Sequence, residues 1–167
     1  WRNLERYQDK LVAALKGADR VRIVAPETDL TLSVKGRTFI NSSGTHNMPS
    51  GEVFTSPVEH SAEGHICFDY PVCHAGREIE GIRLVFRKGV VVEATARKNQ
   101  EFLISMLDID RGARRLGELG IGTNRNIQRF TKNFLFDEKI GGSIHLALGS
   151  GFPEAGGRNN SALHWDL

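Results

Sequence analysis

Only two cysteines, Cys67 and Cys73, occur in 167 residues. Such a pair gives no disulfide framework of the kind small secreted domains depend on, and a reducing, cytoplasmic setting is the expectation. No stretch approaches the ~18 consecutive apolar residues of a membrane-spanning helix, and no signal peptide is visible. Charge of one sign is not in excess: 22 Lys and Arg face 20 Asp and Glu, a net charge of +2. With the basic residues scattered rather than gathered in a stripe, neither nucleic acid nor a membrane is an expected partner. Internal repeats and low-complexity tracts are missing. The chain opens on Trp1 rather than Met and ends at Leu167 inside a strand-like segment, which suggests a piece of a longer protein whose termini and targeting signals lie elsewhere.

What is present is glycine. Eighteen glycines, with 40% apolar and 25% charged residues, suit one globular domain over residues 1–167 with a core of its own and many tight bends. Trp1 to Lys16 read as a helix with Leu4, Tyr7, Leu11, Ala14 and Leu15 on one stripe and Gly17 as its stop. Val21–Ala25 and Leu30–Val34 form a hairpin-like pair, with a third short strand around Thr38–Ile40. Asn41–Pro57 reads as a long loop of the kind that carries function. Glu63–Tyr70 is a strand candidate. Ile79–Lys98 is the clearest hairpin, with Ile82, Leu84 and Phe86 alternating, a turn at Lys88-Gly89, and Val90, Val92, Ala94 and Ala96 returning. Asn99 caps a short helix to Leu107, and Asp110–Leu116 reads as a further helical turn. Gly117–Gly122, Ser143–Gly149 and Ala162–Leu167 are three short strands. The fold class is α+β: β-rich, a mostly antiparallel sheet or partial barrel, with a few short helices.

Residues that could carry chemistry gather in four segments of low charge. In a strand, residues two apart share a face. His164 and Asp166 therefore project together, with Leu163, Trp165 and Leu167 facing the other way. In Ser143–Gly149, His145 lies on a face that is otherwise Ser, Ala and Gly, opposite Ile144, Leu146 and Leu148. Small neighbours leave room for an ion and a substrate. Glu118 sits between glycines with no Lys or Arg adjacent, and Glu52 falls between a loop and an apolar pair. Two Glu, two His and one Asp make a hard-to-borderline donor set that suits one or two divalent cations.

Four motifs extend this pattern: Met48-Pro-Ser-Gly-Glu52-Val-Phe-Thr, Gly112-Ala-Arg-Arg-Leu-Gly-Glu118, Asp137-Glu-Lys-Ile-Gly-Gly-Ser-Ile-His145-Leu-Ala-Leu-Gly, and Asn159-Asn-Ser-Ala-Leu-His164-Trp-Asp166. In order and spacing the chain resembles the thermophilic aminopeptidase T family of metallopeptidases, which includes aminopeptidase S. The resemblance implies removal of N-terminal residues from peptides with a free N-terminus by a homodimeric enzyme. It implies two divalent ions (Zn, Co or Mn) bound by Glu52, Glu118, His145, His164 and Asp166, with Glu118 bridging. Glu52 and Glu118 are then the candidate catalytic carboxylates, one not fully committed to metal acting as general base. Two departures accompany the match. The family is roughly twice as long, with an N-terminal portion this chain lacks. Its members also carry a Tyr where this chain has Phe152, so a phenol that could serve the developing oxyanion is replaced by a ring without a donor.

Three other readings compete. His65, Cys67, Cys73 and His74 could hold a structural zinc, although their spacing fits no common knuckle. The chain could be a non-catalytic domain that binds metal or a partner. Arg111, Arg114, Arg115, Arg125, Arg129 and Lys132, with Phe130 and Phe134 nearby, could bind a single-stranded nucleic acid, although a solvated face accounts for them as well.

Overall fold

The computed structural model describes residues 1–44 and 47–167, the side chain of Phe134 left aside. Thr45 and His46, within the expected Asn41–Pro57 loop, lie outside the described residues. The elements run α1 (Arg2–Leu15), β1 (Arg20–Ala25), β2 (Thr28–Ser33), β3 (Ile40–Ser42), β4 (Glu52–Thr55), β5 (Glu63–Cys67), β6 (Val72–His74), β7 (Arg77–Ile79), β8 (Arg83–Arg87), β9 (Val90–Thr95), α2 (Gln100–Leu107), β10 (Leu116–Gly122), α3 (Phe134–Asp137), β11 (Ile144–Gly149), a 3-10 turn at Pro153–Ala155, and β12 (His164–Asp166).

Ten of these strands form two five-stranded sheets, in the orders β1-β2-β5-β8-β9 and β12-β11-β10-β4-β3, while β6 and β7 make a separate hairpin. The strand pairings are antiparallel. Among the described residues neither sheet closes on itself, so the antiparallel sheet is realised and no closed barrel forms. One contiguous core draws Leu30, Leu32, Leu84 and Phe86 from the first sheet, Val53, Leu119, Leu146 and Leu148 from the second, and Leu103 and Leu107 from α2. Burial of this apolar surface is the main favourable contribution to folding.

Several local expectations are corrected. The supposed loop over Asn41–Pro57 contains β4, which pairs with β10 on one side and β3 on the other. The third strand starts at Ile40 rather than Thr38. Asp110–Leu116 holds bends and one short turn rather than a regular helical turn: the Ala113 N–H donates to the Asp110 carbonyl at 3.3 Å and the Arg115 N–H to the Gly112 carbonyl at 3.0 Å, while the Asp110 carboxylate accepts from the backbone N–H of Gly112 and Ala113 at 2.8 and 2.9 Å. Asn99 stands at the start of α2, but its amide donates to the Glu78 carbonyl at 2.7 Å instead of capping the helix. In β9 it is Val91, not Val92, that is buried, because a bulge at Val85/Phe86 shifts the alternation by one residue.

The stripe on α1 is also shifted. Leu4, Leu11, Val12 and Leu15 are partly buried, whereas Tyr7 and Ala14 are exposed. At the centre of the inward face sits a polar residue, Gln8, fully buried. Its amide nitrogen donates to the carbonyls of Ser42, at 3.0 Å, and of Glu52. The helix is thus fastened to β3 and to the first residue of β4. Removing that donor takes a hydrogen bond from two buried carbonyls, of which that of Ser42 keeps Ser50 Oγ at 3.0 Å, a loss of about 1–3 kcal/mol. Gln8→Ala is accordingly expected to lower unfolding free energy by about that amount, read as a reduced urea midpoint at unchanged m-value.

Candidate metal centre

Residues opposite one another in an antiparallel pair project to the same side. Register sets Glu52 against Gly122, His145 against Gly120, Glu118 against Ala147, Ala147 against Asp166, and Gly149 against His164. All five candidate ligands therefore occupy one face of the second sheet, with glycine and alanine between them. Leu119, Leu146, Leu148 and Trp165 occupy the other face and enter the core. Plain alternation would give Leu116 and Glu118 the same face. A bulge between them, with Gly117 as the extra residue, sends Leu116 into the core beside Leu148 and turns Glu118 to the site. Gly120 is bare for a different reason. A Cβ there would lie 2.0 Å from Cε1 and Nε2 of His145, so the imidazole lies flat across its backbone.

The five side chains meet around Glu118. Its Oε1 lies 3.4 Å from His145 Nε2, and its Oε2 lies 3.3 Å from His164 Nε2. Glu52 Oε2 is 3.4 Å from His145 Nε2, and Asp166 Oδ1 is 3.6 Å from His164 Nε2. Two donor groups result, Glu52–Glu118–His145 and Glu118–His164–Asp166, sharing Glu118. His164 Nδ1 donates to the Ser150 carbonyl at 2.8 Å, which fixes the ring and leaves Nε2 to face Glu118.

Burial pushes Glu52 up to about 7 and Asp166 up to about 6, against the pull of His145. Burial acts on Glu118 too, but hydrogen bonds from His145 and His164 outweigh it and bring the carboxyl down to about 2. Burial disfavours the charged imidazoles of His145 and His164, yet Glu118 holds each up at about 9. Protons on the histidines compensate the carboxylates when no other cation is there.

The donor set fits a divalent ion on three observations. Among the described residues Glu52 Oε2, His145 Nδ1 and Asp166 Oδ1 are buried without a hydrogen-bond partner, which is costly unless something else satisfies them. The separations of 3.3 to 3.6 Å are longer than charge-assisted hydrogen bonds. They match the ~3.3–3.4 Å between neighbouring ligand atoms on a tetrahedral ion with bonds of ~2.0–2.1 Å.

The structure adds two residues that the reading of the sequence did not single out. Glu138 joins His145 and Asp166 in a third group of donor atoms. Lys139, fully buried, pairs with Glu138 and lies 3.4 Å from Glu52 Oε1. Both belong to the motif quoted for His145. Phe152 reaches the site: its ring stands 5.0 Å, edge-on, from that of His164 and 4.9 Å from that of Phe54. The rival zinc set is not assembled. Among the described residues His65, Cys67, Cys73 and His74 form no group of donor atoms, and the His74 ring lies tilted 5.4 Å from that of Trp165. In the basic stretch, Arg114 pairs with Asp108 at 2.7 Å and Arg115 donates to the Glu59 carbonyl at 2.9 Å, so these two are engaged within the fold.

A family model of thermophilic metalloproteases (M29) matches residues 1–167. The chain belongs to the M29 family. Among curated relatives of this M29 chain, aminopeptidase PepS of Streptococcus thermophilus is 32% identical over 172 residues, covering 86% of the chain and 41% of the relative. Aminopeptidase T of Thermus aquaticus is 38% identical over 112 residues, 65% of the chain and 27% of the relative. Among solved structures, wild-type AmpT from Thermus thermophilus superposes with a TM-score of 0.86 at 29% identity, covering 100% of the chain and 48% of that structure. A 2,5-dihydroxypyridine dioxygenase from Pseudomonas putida KT2440 gives 0.82 at 20% identity over 99% of the chain and 54% of that structure, which shows a shared fold. The M29 chain spans less than half the length of the curated relatives it matches, between 26% and 41%.

The close approach at Gly120 has a measurable consequence. Gly120→Ala is expected to displace the His145 ring and to cost about 1–3 kcal/mol by overpacking. Histidine side-chain NMR should show the His145 signals moved while far-UV circular dichroism stays native.

Proposed function

We propose that residues 1–167 act as one unit carrying the metal centre of an aminopeptidase that removes N-terminal residues from peptides with a free amine. The observation that supports it most directly is Glu118, with one carboxylate oxygen toward each histidine. That arrangement suits two divalent ions, Zn, Co or Mn, with Glu52, Glu118 and His145 about one and Glu118, His164 and Asp166 about the other. The chemistry such ions supply when bound is Lewis acidity toward the scissile carbonyl and a nucleophile at neutral pH. A carboxylate of the centre not fully committed to metal would be the proton acceptor, with Glu52 and Glu118 the candidates. Family likeness favours a homodimer, and the two free thiols suit the cytoplasm.

A cleft of about 530 Å³ supports the substrate assignment. It runs from Glu138, His145 and Asp166 to an apolar wall at Ile23, Ile66 and Phe68. An N-terminal residue lying there would set its ammonium beside carboxylates and its side chain on the wall. Phe152 favours a second reading, a metal-binding domain with weak or no turnover, because no phenol reaches the reacting centre from that position. One missing oxyanion donor typically raises the barrier by about 2.7–4 kcal/mol. Hydrolysis of leucine p-nitroanilide with added Co or Zn decides between the two: turnover supports the enzyme, metal uptake without turnover the binding domain.

Metal titration against a chromophoric chelator is expected to give two tight equivalents for the parent, lost in Glu118→Ala and His145→Ala with the core still folded. Parent-like uptake by either variant would remove that residue from the centre. Uptake should also tighten from pH 6 to pH 8.5, because His145 and His164 keep their protons up to about 9 in the metal-free site and must release them to bind. Phe152→Tyr, in the full-length protein, is expected to raise kcat at nearly unchanged metal affinity; an unaltered kcat would take position 152 out of the mechanism.

A further inference from the structure

Lys139 is among the largest fully buried side chains of the protein. A lysine is seldom fully buried unless paired. Its place is set by backbone on three sides. The Asn124 N–H donates to the Lys139 carbonyl at 3.0 Å, and the Gly141 N–H returns to the Asn124 carbonyl at 3.0 Å. The Asn124 side-chain amide donates to the Ser50 carbonyl at 2.8 Å, just before Glu52. The Asp137–Gly142 segment also lies directly on β10, where a Cβ at Gly122 would stand 2.1 Å from the Ile140 carbonyl oxygen. Lys139 and Glu52 are thus carried by one hydrogen-bonded frame.

Within that frame the two oxygens of Glu52 have different neighbours. Oε1 lies 3.4 Å from Lys139 Nζ. Oε2 lies 3.4 Å from His145 Nε2 and has no hydrogen-bond partner. With no solvent exposure, the ammonium is closed off from a substrate arriving from solution. We propose that Lys139 is a positioning residue whose ammonium occupies Glu52 Oε1, so that Glu52 meets a divalent ion through Oε2 alone. Glu138 is the second anchor of the same ammonium. This inference rests on the metal centre described under the proposed function and adds a role for a residue outside the donor set.

Equilibrium binding of Co(II) to the purified protein tests it. Loss of a group that orients a ligand typically weakens metal affinity about 10–100-fold. K139M is expected to show a loss in that range at one equivalent, with a changed visible absorption band for the cobalt that remains, because Glu52 is free to bind through both oxygens. In an E52Q background the added effect of K139M should shrink to less than about threefold, since residues acting through one another are not additive. Should K139M lose its native circular dichroism, K139Q takes its place under the same criterion. Parent-like binding and spectrum in the Lys139 variant, or full additivity with E52Q, overturns the proposal. A parent that takes up no cobalt defeats the metal centre itself, whereas a parent that binds beside an unaffected K139M defeats the positioning role only.

Discussion

Glu52, Glu118, Glu138 and Asp166 converge at one face of a sheet with side chains no more than 10% exposed. Like charges at such depth repel by about 4 kcal/mol per pair at 4 Å with an effective dielectric of 20. The arrangement therefore requires cations. Lys139 is one of them, and protonated His145 and His164 are two more in the metal-free protein. Divalent ions would replace the histidine protons while leaving Lys139 in place. Much of the surrounding structure serves that convergence, from the Gln8 amide on the Glu52 carbonyl to the turn that brings Lys139 beneath the site.

The second sheet divides its two faces between cohesion and chemistry. Leucines and Trp165 join the core shared with the first sheet, and the reverse face carries the donors on a nearly bare backbone of glycine and alanine. Because the donors stand on paired strands rather than on loops, their spacing follows from sheet geometry and changes little with side-chain fluctuation. The same scaffold superposes on AmpT and on a dioxygenase, so the fold alone does not select the chemistry. That selection lies in the few residues set on the bare face.

The donors were legible in the sequence where strand alternation is simple. His164-Trp165-Asp166 and His145 within Ile144–Leu148 obey period two, and the structure keeps their faces as read, although Ile144 at the sheet margin is exposed. Strand β4 was hidden because its flanks, Met48-Pro-Ser-Gly and Ser56-Pro57, are rich in turn formers, and only partners on both sides make Glu52–Thr55 a strand. Gln8 was passed over because helical periodicity weighs apolar residues, whereas this position is chosen by two carbonyls from distant strands. Glu138 and Lys139 resemble surface charge in the chain and become interior only when the turn folds onto Gly122.

The bulge at Gly117 gives β10 something like a reading frame. Upstream of it, odd and even positions have one assignment to core and site; downstream they have the other. Substitutions along this strand alter single side chains; loss of the extra residue Gly117 would restore plain alternation with Leu116 still opposite Leu148 and Glu118 still opposite Ala147, whereas gain or loss of one residue beyond the bulge, between Glu118 and Gly122, exchanges the two faces on one side of it. The bulge is thus a place in β10 where a residue can be lost without turning Glu118 from the site, a punctuation mark after which every position is counted.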